Sequence, residues 1–218
     1  MTLGLGPELF ARLNAEQWVG NQTPVVYGAP GLPEKTVAAI EKELGFPWPD
    51  DYRYLFQNVS DPGGVLFRWE DEGGKSYAAI IQRVLEGIEF DVQMNNLWMR
   101  RWHERPRYLP DALAIVRNDF PSWPKLLPIY GHRFLAAQPN RAGNPVFSIV
   151  QTDIVYYGSD IAHYLVNEFL DHDWPAHTQG AKHIDIWSAF AEERGGDLLA
   201  FPQGPFSSNP APWSSSMS

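Results

Sequence analysis

Ile40-Glu41-Lys42-Glu43-Leu44-Gly45-Phe46-Pro47-Trp48-Pro49-Asp50-Asp51-Tyr52 is the stretch whose reading decides the fold. Val37, Ile40 and Leu44 recur at helical spacing behind Pro33 and Glu34. Proline is tolerated in a first helical turn, and a carboxylate there faces the positive end of the helix dipole. Gly45 is placed to cap that helix, because glycine enters the left-handed conformation without steric cost. Phe46-Pro47-Trp48-Pro49 then forces an extended link, since each proline restrains its predecessor. Asp50 and Asp51 start a second helix carrying Tyr52, Leu55 and Phe56. The chain thus turns a sharp corner between two helices.

Upstream of the corner, Pro7–Trp18 reads as a helix, Pro24–Tyr27 as a short strand and Gly28–Gly31 as a turn. Downstream, Asn58–Gly64 is a turn-rich loop, Val65–Trp69 looks like a strand, and Glu70–Lys75 is an acidic turn. A long helical region spans about Tyr77–Trp102, with one apolar stripe at Ile81, Val84, Leu85 and Ile88 and another at Met94, Leu97, Trp98 and Trp102. Pro106 ends it. From Leu126 the texture changes to strands: Leu126–Tyr130 and Arg133–Ala136 joined at Gly131-His132, then a hairpin of Pro145–Val150 and Ile154–Tyr157 across Gln151-Thr152-Asp153. A helix follows with Ser159 as its N-cap and Ile161, Tyr164, Leu165 and Phe169 on one face, and a last helix lies near Ile184–Arg194.

Helices clustered at both ends with strands between them indicate an α+β domain, in which N-terminal helices and a long helical insert pack on a largely antiparallel sheet closed by C-terminal helices. That domain covers about residues 5–197. Residues 198–218 read as a disordered Pro/Ser-rich tail: from Phe201 onward there are six Ser, four Pro and no charge.

Composition narrows the function classes. The 218 residues are 44% hydrophobic, enough for a sizeable core. With no cysteine there are no disulfides, thiolate metal sites or cysteine nucleophiles. The sequence opening Met1–Gly6 has neither a basic region nor an apolar one, so no signal peptide is expected. No apolar run approaches the roughly 20 residues of a membrane span. The expected location is the cytoplasm. Net charge is −9. Residues 1–90 carry −6, residues 91–135 carry +3 and residues 136–218 carry −6. An acidic chain repels phosphate backbones, so direct binding of nucleic acid is not expected, whereas a basic protein partner is readily accommodated.

Two stretches resemble the SUKH superfamily of Smi/Knr-type domains. The first is the corner itself, Ile40–Gly45 and Trp48–Tyr52, followed by Leu55-Phe56 and Gly63-Gly64; here Trp48 stands where the family usually has Leu, and the glycine turn comes several residues late. The second is Leu127–Gly131, then Gly143–Phe147, Ile154–Tyr157 and the helix to Phe169-Leu170. The resemblance covers about Leu32–Leu170, interrupted by the helical insert. It implies a binding protein rather than an enzyme. Many bacterial members are immunity proteins that neutralise toxins of polymorphic secretion systems, often nucleases, and yeast relatives regulate cell-wall synthesis by binding.

Motifs for chemistry are weak. Gly74-Lys75-Ser76 imitates the end of a phosphate-binding loop, but the glycine such a loop needs five residues earlier is Trp69. His103-Glu104 has Arg107 where a zinc-protease motif needs histidine. Asp171, His172, Asp173, His177, His183 and Asp185 are metal-ligand types at irregular spacing, interrupted by Trp174-Pro175. No metal or other cofactor is expected. A metal-dependent hydrolase using His172–Asp185 is one alternative, and a regulatory protein-binding scaffold is another. On the leading reading, Glu70, Asp71, Glu72, Asp153 and Asp160 face a basic toxin domain. Tyr156 or Tyr157, whichever is exposed, anchors it, because adjacent strand residues point to opposite faces.

Overall fold

The computed structural model describes residues 4–16, 24–70, 74–170, 180–192, 198–200 and 204–207. At the corner, helix α2 (Glu34–Leu44) ends at Gly45, which adopts the left-handed conformation (φ 78°) and donates its N–H to the Glu41 carbonyl. Helix α3 (Asp50–Gln57) starts directly after Pro49. Glu41 fastens the corner by accepting from the Trp48 N–H at 2.6 Å and from Arg53 at 2.6 Å. Arg53 also pairs with Glu34, holding both ends of α2 against α3. In front of the corner come α1 (Pro7–Glu16) and a two-residue strand β1 (Val26–Tyr27), paired antiparallel with β2 (Val59–Ser60).

The centre of the molecule is an antiparallel meander of β4 (Leu126–Tyr130), β5 (Arg133–Ala136), β6 (Val146–Val150) and β7 (Asp153–Gly158). The architecture is α+β, and helices cover both faces of this sheet. Leu127, Ile129, Leu135 and Val146 point into a core shared with α1, α2, α3 and α6 (Ile161–Phe169). Leu126, Phe134, Phe147, Ile149 and Ile154 point into a second core. That core is closed by α4 (Gly74–Met94), α5 (Leu109–Asp119) and α7 (Trp187–Ala191). Register keeps the two sets apart: Leu127 pairs Leu135 in one core, while Phe134 pairs Phe147 and Ile149 pairs Ile154 in the other. Pro128 sits in β4 because β4 is an edge strand, where a missing N–H breaks no ladder.

Several elements differ from the sequence reading. Val65–Trp69 is not a strand: Leu66 and Trp69 are buried at a spacing of three, and the Leu66 N–H goes to the Asp61 carboxylate at 2.6 Å rather than to a neighbouring strand. The long helix stops at Met94, not Trp102. The Asp91 carbonyl receives the N–H groups of both Asn95 and Leu97, and Asn96 turns left-handed (φ 60°). Strand β3 (Trp98–Met99) and a 3-10 turn (Arg100–Trp102) follow. Helix α5, with Pro110 in its first turn, lies in a stretch to which the sequence reading assigns no element. Asp160, not Ser159, caps α6, its carboxylate accepting from the His163 N–H at 2.8 Å. Within the expected helix near Ile184–Arg194, α7 spans Trp187–Ala191, and Glu193 and Arg194 lie outside the described residues.

Part of the expected tail, residues 198–200 and 204–207, is described. Strand β8 (Leu199–Ala200) pairs antiparallel with β3, Ser207 bridges to Tyr108, and the Arg105 guanidinium lies 3.8 Å over the Phe206 ring. Backbone pairing and a cation–π contact hold this stretch, and an uncharged composition does not forbid either. Residues 208–218 lie outside the described residues.

Buried polar hubs bind the layers. Tyr52, fully buried, donates its hydroxyl to the Pro128 carbonyl at 2.5 Å and accepts the Trp69 indole N–H at 3.0 Å, joining α3, β4 and the 61–70 loop. Asp119 accepts the indole N–H groups of Trp102 (2.8 Å) and Trp123 (2.9 Å) and pairs with Arg101 (3.0 Å). Burial acts to raise the Asp119 pKa, but the two indoles, the Arg101 charge and the Ser122 hydroxyl outweigh it and hold the carboxyl below the usual aspartate value.

Tyr52→Phe strands a buried carbonyl and a buried indole N–H together, and should lower the unfolding free energy by about 1–3 kcal/mol in denaturant titration. A depressed carboxyl stabilises the fold above its unfolded pKa and loses that contribution as pH falls through its folded pKa. The stability of the protein should therefore drop as pH is lowered below about 4, the ordinary aspartate value. Asp119→Asn should flatten that part of the profile, measured as unfolding free energy against pH.

Candidate functional site

The expected contact residues that are described lie on different elements. Glu70 is exposed on the rim of a cleft beside the corner, while Asp71 and Glu72 lie outside the described residues. Asp153 is exposed at the β6–β7 turn and lines a different cleft with Asp91 and Trp98. Asp160 is engaged in capping α6. Neither tyrosine matches the exposed anchor expected of the pair. Tyr156 is half-buried against Phe147, and its hydroxyl donates to Glu192 at 2.8 Å. Tyr157 is half-buried under the Arg133 guanidinium, which stands 3.7 Å from the ring centre. They do point to opposite faces, but both faces of this sheet are covered, so neither is left open.

The His/Asp cluster divides similarly. Asp171, His172, Asp173 and His177 lie outside the described residues. His183 meets Glu192 at 3.2 Å, and Asp185 accepts the Ile186 N–H at 2.9 Å. Among the described residues no group of three or more His, Asp or Glu side chains is arranged to hold a metal ion. Ser159 and His163 also meet, with the hydroxyl 3.0 Å from Nδ1. That same Nδ1 receives the Ser159 backbone N–H at 3.1 Å, so its lone pair is engaged in the turn before α6 rather than poised as a base.

The cleft under Glu70 is the most coherent candidate. It has a volume of about 280 Å³ and lies between the Gly28–Leu32 turn and β2 with the 61–70 loop, lined by Gly31, Asp61, Phe67, Arg68, Trp69 and Glu70 among others. Local sequence builds each wall. Gly31 donates to the Gln57 carbonyl and Leu32 to that of Phe56, laying the turn flat on the end of α3. A Cβ at position 31 would stand 2.2 Å from the Phe56 carbonyl oxygen and 2.4 Å from that of Val59, so only glycine permits this approach. Asp61-Pro62-Gly63-Gly64 turns tightly, with the Gly64 N–H on the Asp61 carbonyl and Gly64 left-handed (φ 67°). Trp69 rests against Trp48 (4.7 Å between rings) and Phe67 (4.8 Å), so this wall is continuous with the packing of the corner.

The Asp61 carboxylate defines the electrostatics. One oxygen accepts the Leu66 N–H; the other, Oδ1, is shielded from solvent and finds no partner among the described residues. Tyr27 stands nearby with its hydroxyl equally without a partner, and its pKa is raised first by burial and then by the Asp61 charge. Sequence reasoning passed over Asp61. Its only signal is position: an aspartate opening a Pro-Gly-Gly turn whose carboxylate caps the following loop.

No helix among the described residues is long and apolar enough to cross a membrane. Comparison with protein-family models, with curated proteins and with solved structures finds no match.

Gly31→Ala should lower the unfolding free energy by about 1–3 kcal/mol through overpacking. It should also displace the turn from the end of α3, which backbone amide shifts at Gly28 and Leu32 would report.

Proposed function

We propose that this chain is a non-enzymatic immunity protein of the SUKH type, a cytoplasmic binding protein that occludes the working surface of a cognate bacterial toxin. The observation that carries the reading is how the corner residues of the resemblance are used. Glu41 is occupied by Trp48 and Arg53, Tyr52 by Pro128 and Trp69, and Asp51 by the Gly143 N–H at 2.7 Å. Burial pushes the Asp51 carboxyl up, as befits a group serving the interior rather than solvent. The shared motif therefore serves the fold, and recognition falls to the loops beside it, as expected of a family whose members bind different partners on one scaffold.

Those loops are acidic. Asp61 and Glu70 border the cleft, and Asp71 and Glu72 follow in the sequence. Together with a net charge of −9, this favours a basic partner. A toxin that attacks nucleic acid carries such a surface, because it must bind phosphates. Covering that surface blocks the toxin with no bond made or broken. A complex of this kind commonly buries about 1,200–2,000 Å² in total.

The test is the toxin domain encoded beside the gene. Co-expression should rescue cells from it, and the purified proteins should associate at a rate that falls with added salt. Reversing Glu70, Asp71 and Glu72 to Lys should slow association and flatten its salt dependence. A neighbouring toxin domain that neither binds nor is neutralised would sink the proposal.

A further inference from the structure

We propose that the apolar groove between the corner and the insert is the docking site of this chain's own C-terminal segment, Pro210-Ala211-Pro212-Trp213. This goes beyond the immunity reading and does not depend on it. The groove has a volume of about 420 Å³, within the range of small-ligand pockets. Its lining is drawn from both cores. Leu44, Phe46 and Tyr77 pack against the first, and Ile81, Leu85 and Phe120 against the second. All six are half-buried, so the groove is an open apolar seam where the two helical layers meet.

The described parts of the tail follow the insert in order towards this seam. Leu199–Ala200 pair with Trp98–Met99, and the Gly204 carbonyl and the Phe206 ring both meet Arg105. Ser207 then donates its N–H to the Arg107 carbonyl at 3.0 Å, and the Arg107 side chain donates to the Ser207 hydroxyl at 3.0 Å. Ser207 bridges Tyr108 in parallel, so the chain leaves Ser207 in the same sense as Tyr108 enters α5. Phe120 and Pro121 of the groove stand at the far end of that helix, whose 11 residues span about 17 Å. Trp213 follows Ser207 by six positions, a reach of about 19 Å in a polyproline conformation.

Chemistry favours the same occupant. Among the described lining residues Lys125 alone is charged, and its ammonium donates to the Pro121 carbonyl. The chain from Phe201 onward is likewise uncharged. A basic partner surface would find no charge here to answer its own. Proline-rich segments, in contrast, dock in aromatic-lined grooves at low entropic cost, because their extended backbone is already formed. Trp213 brings the largest apolar surface of the segment. The anchors at Phe206 and Ser207 make docking intramolecular, so even a weak contact is populated. Once docked, the segment straps the corner to the insert across the seam.

The chain has no cysteine, so Ser215→Cys provides a single site for a nitroxide label in the full chain. Paramagnetic broadening should peak at the backbone amides of Ala78 and Gln82, which are exposed in the groove lining. Trp213→Ala should weaken docking, read from that broadening, about tenfold, as the loss of one apolar anchor does. Trp213→Phe should retain most of it. Ala78→Arg, which places a charge at the mouth of the groove, should act like Trp213→Ala. No peak at these amides would leave the groove to a separate partner and overturn the strap, and so would a peak that survives Trp213→Ala. Mixing spin-labelled chain with isotope-enriched, unlabelled chain tests for a second copy. Broadening passed between molecules at equal strength assigns the groove to a neighbour's tail and overturns the intramolecular strap, whereas its absence supports it.

Discussion

Helices cover both faces of the meander β4–β5–β6–β7, and the rest of the molecule follows from that. In a half-solvated antiparallel sheet, side chains alternate between apolar and polar. Here alternate positions enter two different interiors. Leu126, Leu127, Phe134, Leu135, Val146 and Phe147 are all at most 2% exposed, although they point in opposite directions. A four-stranded sheet of this kind needs a helical layer on each side, and the chain supplies them from separate regions. The N-terminal helices and α6 cover one face, while the insert and α7 cover the other. A one-residue slip of register would exchange the two sets, so the packing of both layers and the pairing of the strands fix one another.

Two layers on one sheet must also be held to it, and buried polar groups do this where apolar contact is not directional. Asp91 is nearly inaccessible, yet it accepts the Thr152 N–H and hydroxyl and the Asn95 side-chain amide, pinning the end of α4 to the β6–β7 turn. Asp119 gathers two indoles and an arginine at the end of α5. Tyr52 does the same for the corner. Each hub makes specific what packing leaves approximate, because a buried donor or acceptor tolerates little displacement before its partner is lost.

The cleft at Asp61 sits where this rigidity ends. Its floor and one wall belong to the corner through Trp69 and Trp48, while its rim is loop. A rigid base under a variable rim lets one scaffold carry many specificities, since loop residues change without disturbing a core that the corner and sheet hold in place. The same division explains why a motif can be plain in the sequence and silent about its partner.

By itself the sequence determined the features that depend on near neighbours. Prolines 47 and 49 with Gly45 set the corner, short apolar runs bounded by turn residues marked the strands near 126–130, 133–136, 145–150 and 154–157, and helical spacing set α2, α3 and α6. Only the tertiary structure decided that Val65–Trp69 is a loop, because its N–H groups are claimed by Asp61 and by the Ile129 carbonyl rather than by one partner strand. It also decided that α4 stops at Met94, where the Asp91 carboxylate is drawn to Thr152, sixty-one positions away. Leu199–Ala200 is a strand because Trp98–Met99 offers it an edge, although its own composition gives little sign of one. The candidate site divides in the same way. Acidity around Glu70 is legible from charge alone, whereas Asp61 acquires its meaning from the burial of Tyr27 and the turn at Gly31. Period and turn chemistry are written along the chain; which distant group receives a hydrogen bond or answers a charge is settled only when the chain has folded.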